Sequence, residues 1–431
     1  MRSSQEGMTM IRYFMPGALM LAALPPIASA QPVTAEALRR DPAFKAAQAH
    51  LARDYDRIVA ETIRITEIPA PPFKEAERAS AVAVMMREAG LRDVHIDEEG
   101  NAVGIRPGTG NQSMVAIGAH LDTVFPEGTP IKVRREGDRL LAPGISDNSV
   151  SVAVLLAFVR ALDAGAVKTK QDLLFVANVG EEERGAFRGV RYLLQRSPYH
   201  SRISAFIGLE PGNTGGITNV GIGVRRYTVT YKGPGGHSMF AFGTVNPATA
   251  MAETIVRFDR YRPLDRTTVW NVGLVSGGTS INTIPASVSM SVDMRSTNAA
   301  DLDRLDMFFR KAVADGTTAE NAARGGAKGT VAAKIETVLP IERPVTHIPD
   351  DTMLLRNAVS AIRSGGMEPS MRSGSSDSAI PQDMGLPGLT LDSGMEYVAP
   401  HSPTEAIVLD RPTNLRVMGN TLATLLLTAN Q

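Results

Sequence analysis

The chain has 431 residues, no cysteine, and 45 Lys and Arg against 45 Asp and Glu, so its formal net charge is zero. That length can bury a large core and divide into two folding units. The balanced, interspersed charge argues against a nucleic-acid partner or a polybasic membrane patch. The missing cysteine excludes disulfides, thiolate ligands and a cysteine nucleophile, so any metal must be held by His, Asp and Glu, a donor set that suits zinc, cobalt or manganese.

In chain order, residues 1–30 read as an export signal. Arg2 and Arg12 lie in a charged start, PGALMLAALPPIA is apolar but too short to span a bilayer, and ASA at Ala28–Ala30 is a cleavage pattern before Gln31. Glu6 is out of place in such a start, which makes Met8 or Met10 an alternative first residue. The mature chain is expected to begin near Gln31 in an exported protein, periplasmic or secreted, without stable membrane insertion once the signal is removed. No later segment reads as apolar for long enough to cross a membrane.

LARDYDRIVAETIRI and EAERASAVAVMMREAG carry helical spacing on either side of the proline-bounded loop IPAPPFKE. SMVAIGAH, DLLFVANVG and AFIGLEPG then alternate with the helical runs SVAVLLAFVRALDAG and GAFRGVRYLLQR. This alternation indicates an α/β layer around a mostly parallel sheet. The texture changes from about Val220: RRYTVTYKG, TTVWNVGLVSGG, ASVSMSVDMRS and GTVAAKIETVL alternate apolar and polar residues, with two helical stretches among them. That β-α-β-β-α-β order predicts a split-βαβ, ferredoxin-like α+β unit. MLLRNAVSAIRSGG and LPGLTLDSG resume the first texture. The expected organisation is a signal at 1–30, a catalytic α/β domain in two parts, 31–219 and 342–431, and an inserted lid or dimerisation domain at 220–341.

Ligands of open α/β sheets gather outside the carboxyl ends of the strands. There SMVAIGAH ends in His120, followed by Leu121 and Asp122; DLLFVANVG runs into Glu181, Glu182 and Glu183; AFIGLEPG ends at Glu210; and Asp147 opens a helix. Neighbouring carboxylates repel one another, so four such termini on one edge imply compensating cations. Asp122 is close enough to His120 to orient its imidazole.

GAHLDT, GISDNS, VGEEERG, GLEPG, KGPGGHS, GGTSINTIP, DMR and APHSPTE follow one another in an order and spacing that resembles the M20 metallopeptidases, the family of peptidase T, glutamate carboxypeptidase and aminoacylase. The likeness runs from about Ile68 to Glu405. It implies two divalent metal ions, zinc first, with cobalt or manganese as alternatives. His120 and Glu210 would hold one, Glu182 and His401 the other, and Asp147 would bridge them, with Asp122 behind His120. It makes Glu181 the general base, His237 a donor to the scissile carbonyl, often supplied across a homodimer, and Asn282 and Arg295 contacts for a substrate carboxylate. Glu183 reads as a bystander, and His50, His95, His200 and His347 lie outside the motifs. Asn148 departs from the second Asp that many relatives carry, at a place where the family often has a cis peptide. Glu210 leans towards deacylases, whereas SGSSDSAI around Asp377 leans towards peptidase T-like enzymes. The expected function is hydrolysis of short peptides. An N-acyl-amino-acid deacylase is the alternative enzyme, and an inactive peptide-binding protein the non-enzymatic one. No G-x-S-x-G or P-loop pattern is present.

Overall fold

The structure is a computed structural model that describes residues 1, 7, 33–110, 113–324, 329–338 and 343–431. The chain divides into two compact units, Met1–Pro32 and Val33–Gln431, and the helices and strands described below lie in the second. The expected export signal lies almost wholly outside the described residues.

Every apolar run read as a strand forms one. In chain order the strands of the nine-stranded sheet and the inserted four-stranded sheet are β1 Arg92–Ile96, β2 Ala102–Arg106, β3 Met114–His120, β4 Asp172–Asn178, β5 Ile203–Glu210, β6 Gly216–Gly221, β7 Gly223–Lys232, β8 Val269–Gly277, β9 Ser287–Ser296, β10 Ala332–Thr337, β11 Thr346–His347, β12 Ser370–Gly374 and β13 Gly388–Asp392. Nine of these make one mixed sheet in the order β1-β2-β4-β3-β5-β13-β6-β11, with β12 beside β6. Its centre, β4-β3-β5-β13, is parallel.

Continuous apolar text in β3 reflects burial on both faces. Val115, Ile117 and Ala119 pack on one side, with the helices Pro42–Thr66, Ser151–Ala164 and Arg411–Ala429. Met114 and Ala116 pack on the other, with Phe187 and the helix Arg188–Gln195. The stretch Ile145–Ala164 is long and apolar enough to cross a membrane, contrary to the sequence expectation, but 94% of it is buried in this core.

Strands β8-β9-β7-β10 form a four-stranded antiparallel sheet. Their alternating text places Tyr227, Val229, Tyr231, Met290 and Val292 in an apolar cluster of their own, shared with the helices Pro247–Phe258 and Ala299–Arg324. Asn246 accepts the N–H of Ala248 and Pro247 occupies the first turn, which fixes the start of the first of these helices. Another small antiparallel sheet, of Arg134–Glu136, Arg139–Leu141, Glu396–Val398 and Ala406–Val408, was not anticipated. It holds the two ends of the loop that carries His401.

Candidate metal centre

Parallel register sets the first positions. His120 at the end of β3 pairs with Asn178 at the end of β4, and Glu210 at the end of β5 pairs with Asp392 at the end of β13. The loops leaving these ends carry the remaining groups, and three contacts draw them inward. Asp122, fully buried, accepts the backbone N–H of Glu181 at 3.0 Å on one oxygen and that of Glu182 at 2.8 Å on the other. The buried Arg78 guanidinium donates to the carbonyl oxygens of Leu121 and Ile68, both at 2.8 Å, and so braces the chain just past His120. Glu405 accepts from the backbone of Ser146 and Asp147.

The result is a convergent set. His120 Nε2 lies 2.9 Å from Asp147 Oδ1 and 3.6 Å from Glu210 Oε1. His401 Nε2 lies 3.0 Å from Asp147 Oδ2 and 3.1 Å from Glu182 Oε1. Each oxygen of Asp147 therefore faces a different imidazole, and each imidazole has a glutamate of its own. The peptide between Asp147 and Asn148 is cis, and the Asn148 side chain donates to the carbonyl of Leu209 at 2.8 Å. His401 has a left-handed backbone, φ +60°, a conformation uncommon outside glycine and enriched at functional sites.

Proton affinities are displaced throughout this cluster. Burial pushes Glu181 well above the usual carboxylate range, and the charge of neighbouring Glu182 adds to it. Burial also raises Glu210 and Glu182. Hydrogen bonds to Asp147 and Glu182 raise His401 to about 10. His120 is held well above its ordinary value, because the carboxylates of Glu210, Asp122 and Asp147 outweigh its burial. Crowded carboxylates that without a cation must share protons are suited to binding a cation.

The donor set also fits metal ions on geometry. Ligand atoms of His120, Asp147 and Glu182 all lie within 4.8 Å of one another. Asp147 Oδ1 is buried yet makes no hydrogen bond, although His120 Nε2 is close by: the two atoms approach without aligning as donor and acceptor. Two such sets sharing one carboxylate could hold a pair of divalent ions.

Above the cluster lies a cavity of about 420 Å³, with Glu181, Arg226, Arg295 and Arg343 in its wall. Asp293 joins the two strand arginines, accepting Arg226 Nε at 2.6 Å and Arg295 Nε at 2.8 Å. Their terminal nitrogens make no hydrogen bond among the described residues. Glu183 is exposed and also lines this cavity.

Other placements differ from expectation. The part of Asp122 nearest His120 Nδ1 is the backbone carbonyl at 3.0 Å, while the carboxylate stands at 3.7 Å because it is engaged by the Glu181 and Glu182 amides. His237 and Asn282 lie beside one another, where Gly236–His237 pairs with Thr283–Ile284, but both are exposed and neither lines the cavity. Residues that sequence reasoning assigned no role include Arg78, Arg226, Arg343 and Glu405. The buried Asn178–Asp377 pair, joined at 2.7 Å behind the Glu181 turn, also went unread. Only Glu405 and Asp377 had a signal, since each belongs to a quoted motif.

The profile of Peptidase family M20/M25/M40 matches residues 116–428. Carboxypeptidase G2 of Pseudomonas sp. (strain RS-16) is 26% identical over 210 residues, 47% of this chain and 49% of that protein. The chain thus spans about half the length of this curated relative. Aminopeptidase PepT from Bacillus cereus ATCC 10987 has the same fold, with a TM-score of 0.70 at 19% identity over 87% of this chain and 99% of that one. The YXEP protein of Bacillus subtilis, described as a dinuclear metal binding peptidase from the M20 family, gives 0.64 at 16% identity over 88% and 99%. With its profile covering the strand ends, the inserted sheet and the His401 loop, the chain belongs to peptidase family M20/M25/M40.

Proposed function

We propose that this protein is a di-metal hydrolase of peptide bonds in short peptides. The observation that carries the reading is Asp147 between His120 and His401, each imidazole with its own glutamate. His120 and Glu210 would hold one ion, His401 and Glu182 the other, and Asp147 both, with zinc the first choice for a cysteine-free set. A bound pair of ions would supply polarisation of the scissile carbonyl and a water acidified towards neutral pH.

The remaining work falls to the chain. Glu181 is buried at the cavity floor with a carboxylate of raised proton affinity, suited to taking the proton of the attacking water and delivering it to the leaving nitrogen. Asp122 fixes the backbone of Glu181 and Glu182, which holds the base and the ligand apart in their roles. Arg295, joined by Arg226 through Asp293, offers to a substrate carboxylate guanidinium nitrogens that make no hydrogen bond among the described residues. The family likeness to aminopeptidase PepT supports a peptide substrate. His237 would act from a second copy of the chain: it is exposed here, on the unit whose edge strand β8 carries exposed Leu274 and Val275. The apolar N-terminal text supports export.

The test is a panel of di- and tripeptides beside N-acetyl and N-succinyl amino acids, assayed with added zinc, cobalt or manganese. Peptide turnover is expected. Turnover of blocked acyl amino acids alone would make the protein a deacylase. Absence of both bound metal and metal-dependent hydrolysis would leave a peptide-binding protein.

A further inference from the structure

Arg343 stands where the chain returns from the four-stranded sheet. Its carbonyl accepts the N–H of Val224, just inside the strand through which the chain enters that sheet, so the two crossings are tied together here. Its side chain turns the other way, towards the Glu181 loop. One terminal nitrogen donates to the carbonyl oxygens of Glu181, at 2.9 Å, and Glu183, at 3.3 Å; the other donates to Ser375 Oγ at 2.6 Å. The guanidinium also lies 4.3 Å from the centre of the Phe187 ring, a favourable cation–π approach.

The loop it grips needs such support. Four of its residues, Gly180, Glu183, Ala186 and Phe187, have left-handed backbones, three of them non-glycine. Conformations of that kind cost of order 1–3 kcal/mol each and persist only where surrounding contacts over-determine them. Asp122 holds the loop by two amides from beneath. Arg343 holds it by two carbonyls from the side of the inserted sheet. In contrast to Arg226 and Arg295, whose terminal nitrogens make no hydrogen bond among the described residues, Arg343 spends both of its terminal nitrogens on the protein.

We propose that Arg343 is a positioning residue for the general base: it locks the Glu181–Phe187 turn and couples that turn to the crossing between the two sheets. The inference rests on the reading of Glu181 as the base, but its structural half stands without it. Releasing the carbonyls of Glu181 and Glu183 would let the carboxylate of Glu181 swing away from the water it must deprotonate, while His120, Asp147, Glu210 and His401 keep their other contacts and Glu182 keeps the bond from its backbone N–H to Asp122. The cost would therefore fall on kcat and spare metal binding and KM.

The experiment uses Arg343→Ala and Arg343→Lys in the full chain, with amide hydrogen exchange, metal content and steady-state kinetics measured on each. Faster exchange confined to residues 180–187 is expected in the metal-free Ala variant. In the metal-loaded enzyme we expect kcat to fall by about tenfold or more with KM within about twofold. Millimolar ethylguanidinium should restore part of kcat to Arg343→Ala, and Lys, with one point donor, should restore less than the native fork. Unchanged exchange in the turn would overturn the proposal whether or not the protein proves to be a hydrolase. Faster exchange with a raised KM and native kcat would assign Arg343 to substrate binding and overturn it as well. A wild-type protein that hydrolyses nothing would sink the peptidase reading but leave the exchange result to decide the positioning role.

Discussion

Glu405 clasps the backbone that presents Asp147. One of its oxygens accepts the N–H of Asp147 at 3.0 Å, and the same oxygen takes the N–H and hydroxyl of Ser146 at 2.8 and 2.7 Å. The carboxylate between the two imidazoles is therefore aimed by a residue from the far end of the chain. Outer partners of this kind are worth about 10–100-fold in metal affinity. Glu405→Ala should weaken metal binding by that much, read by competition with a chromophoric chelator. Wild-type affinity in this variant would show that Asp147 needs no such support.

In the proposed mechanism Glu181 and Glu182 are neighbours with separate tasks. Glu181→Gln keeps the size and the Asp122 contact, so metal content should match wild type while turnover drops by at least about a hundredfold. Glu182→Gln should lose metal, because Glu182 is the group beside His401. Metal analysis and kcat measured together separate the two, and a Glu181→Gln enzyme of native speed would end its role as base.

Removing the ions should cost stability as well as activity. Several carboxylates at the site are buried, and ligands that bind only the native state stabilise it by about 2.7 kcal/mol at a hundred times Kd. Treatment with a chelator is expected to lower the melting temperature and readdition of zinc to restore it. A melting curve indifferent to both would contradict a resident metal pair.

His237 is exposed and away from the cavity within one chain. If it serves the site of a second copy, His237→Ala and Glu181→Gln should each be nearly inactive alone yet complement when mixed and allowed to exchange subunits, to about a quarter of wild-type activity for random pairing. Failure of the mixture, with both variants dimeric, would remove the shared-site role.

What could be read from the text, and what could not, has a physical basis. Strands β3, β4 and β5 are buried on both faces and so read as continuous apolar runs, and His120 and Glu210 stand where the apolar text ends although burial continues past His120. The alternation of β7 and β9 records a sheet with one covered face. By contrast, the carboxylate of Asp122 is committed to backbone amides, and no pattern of residue types announces which amides a fold will bring near. Arg78 and Arg343 act on carbonyl oxygens, which every residue carries, so a lone arginine in a helix or a proline-bounded loop looks like any other. The segment Ile145–Ala164 escaped notice as a span-length stretch because Ser146, Asp147, Asn148 and Ser149, where the backbone is kinked, interrupt the apolar text ahead of the helix Ser151–Ala164.

The proposed ligand set runs from His120 to His401 and is aimed by Glu405, so segments on both sides of the inserted sheet build it. A nascent chain therefore has no complete site until the His401 loop has been made, and fragments released before it would carry isolated acids and imidazoles with little hold on a cation. Metal loading on the proposed set would accordingly wait for the His401 loop, and a chain clipped ahead of that loop would be inert however well its sheets had formed.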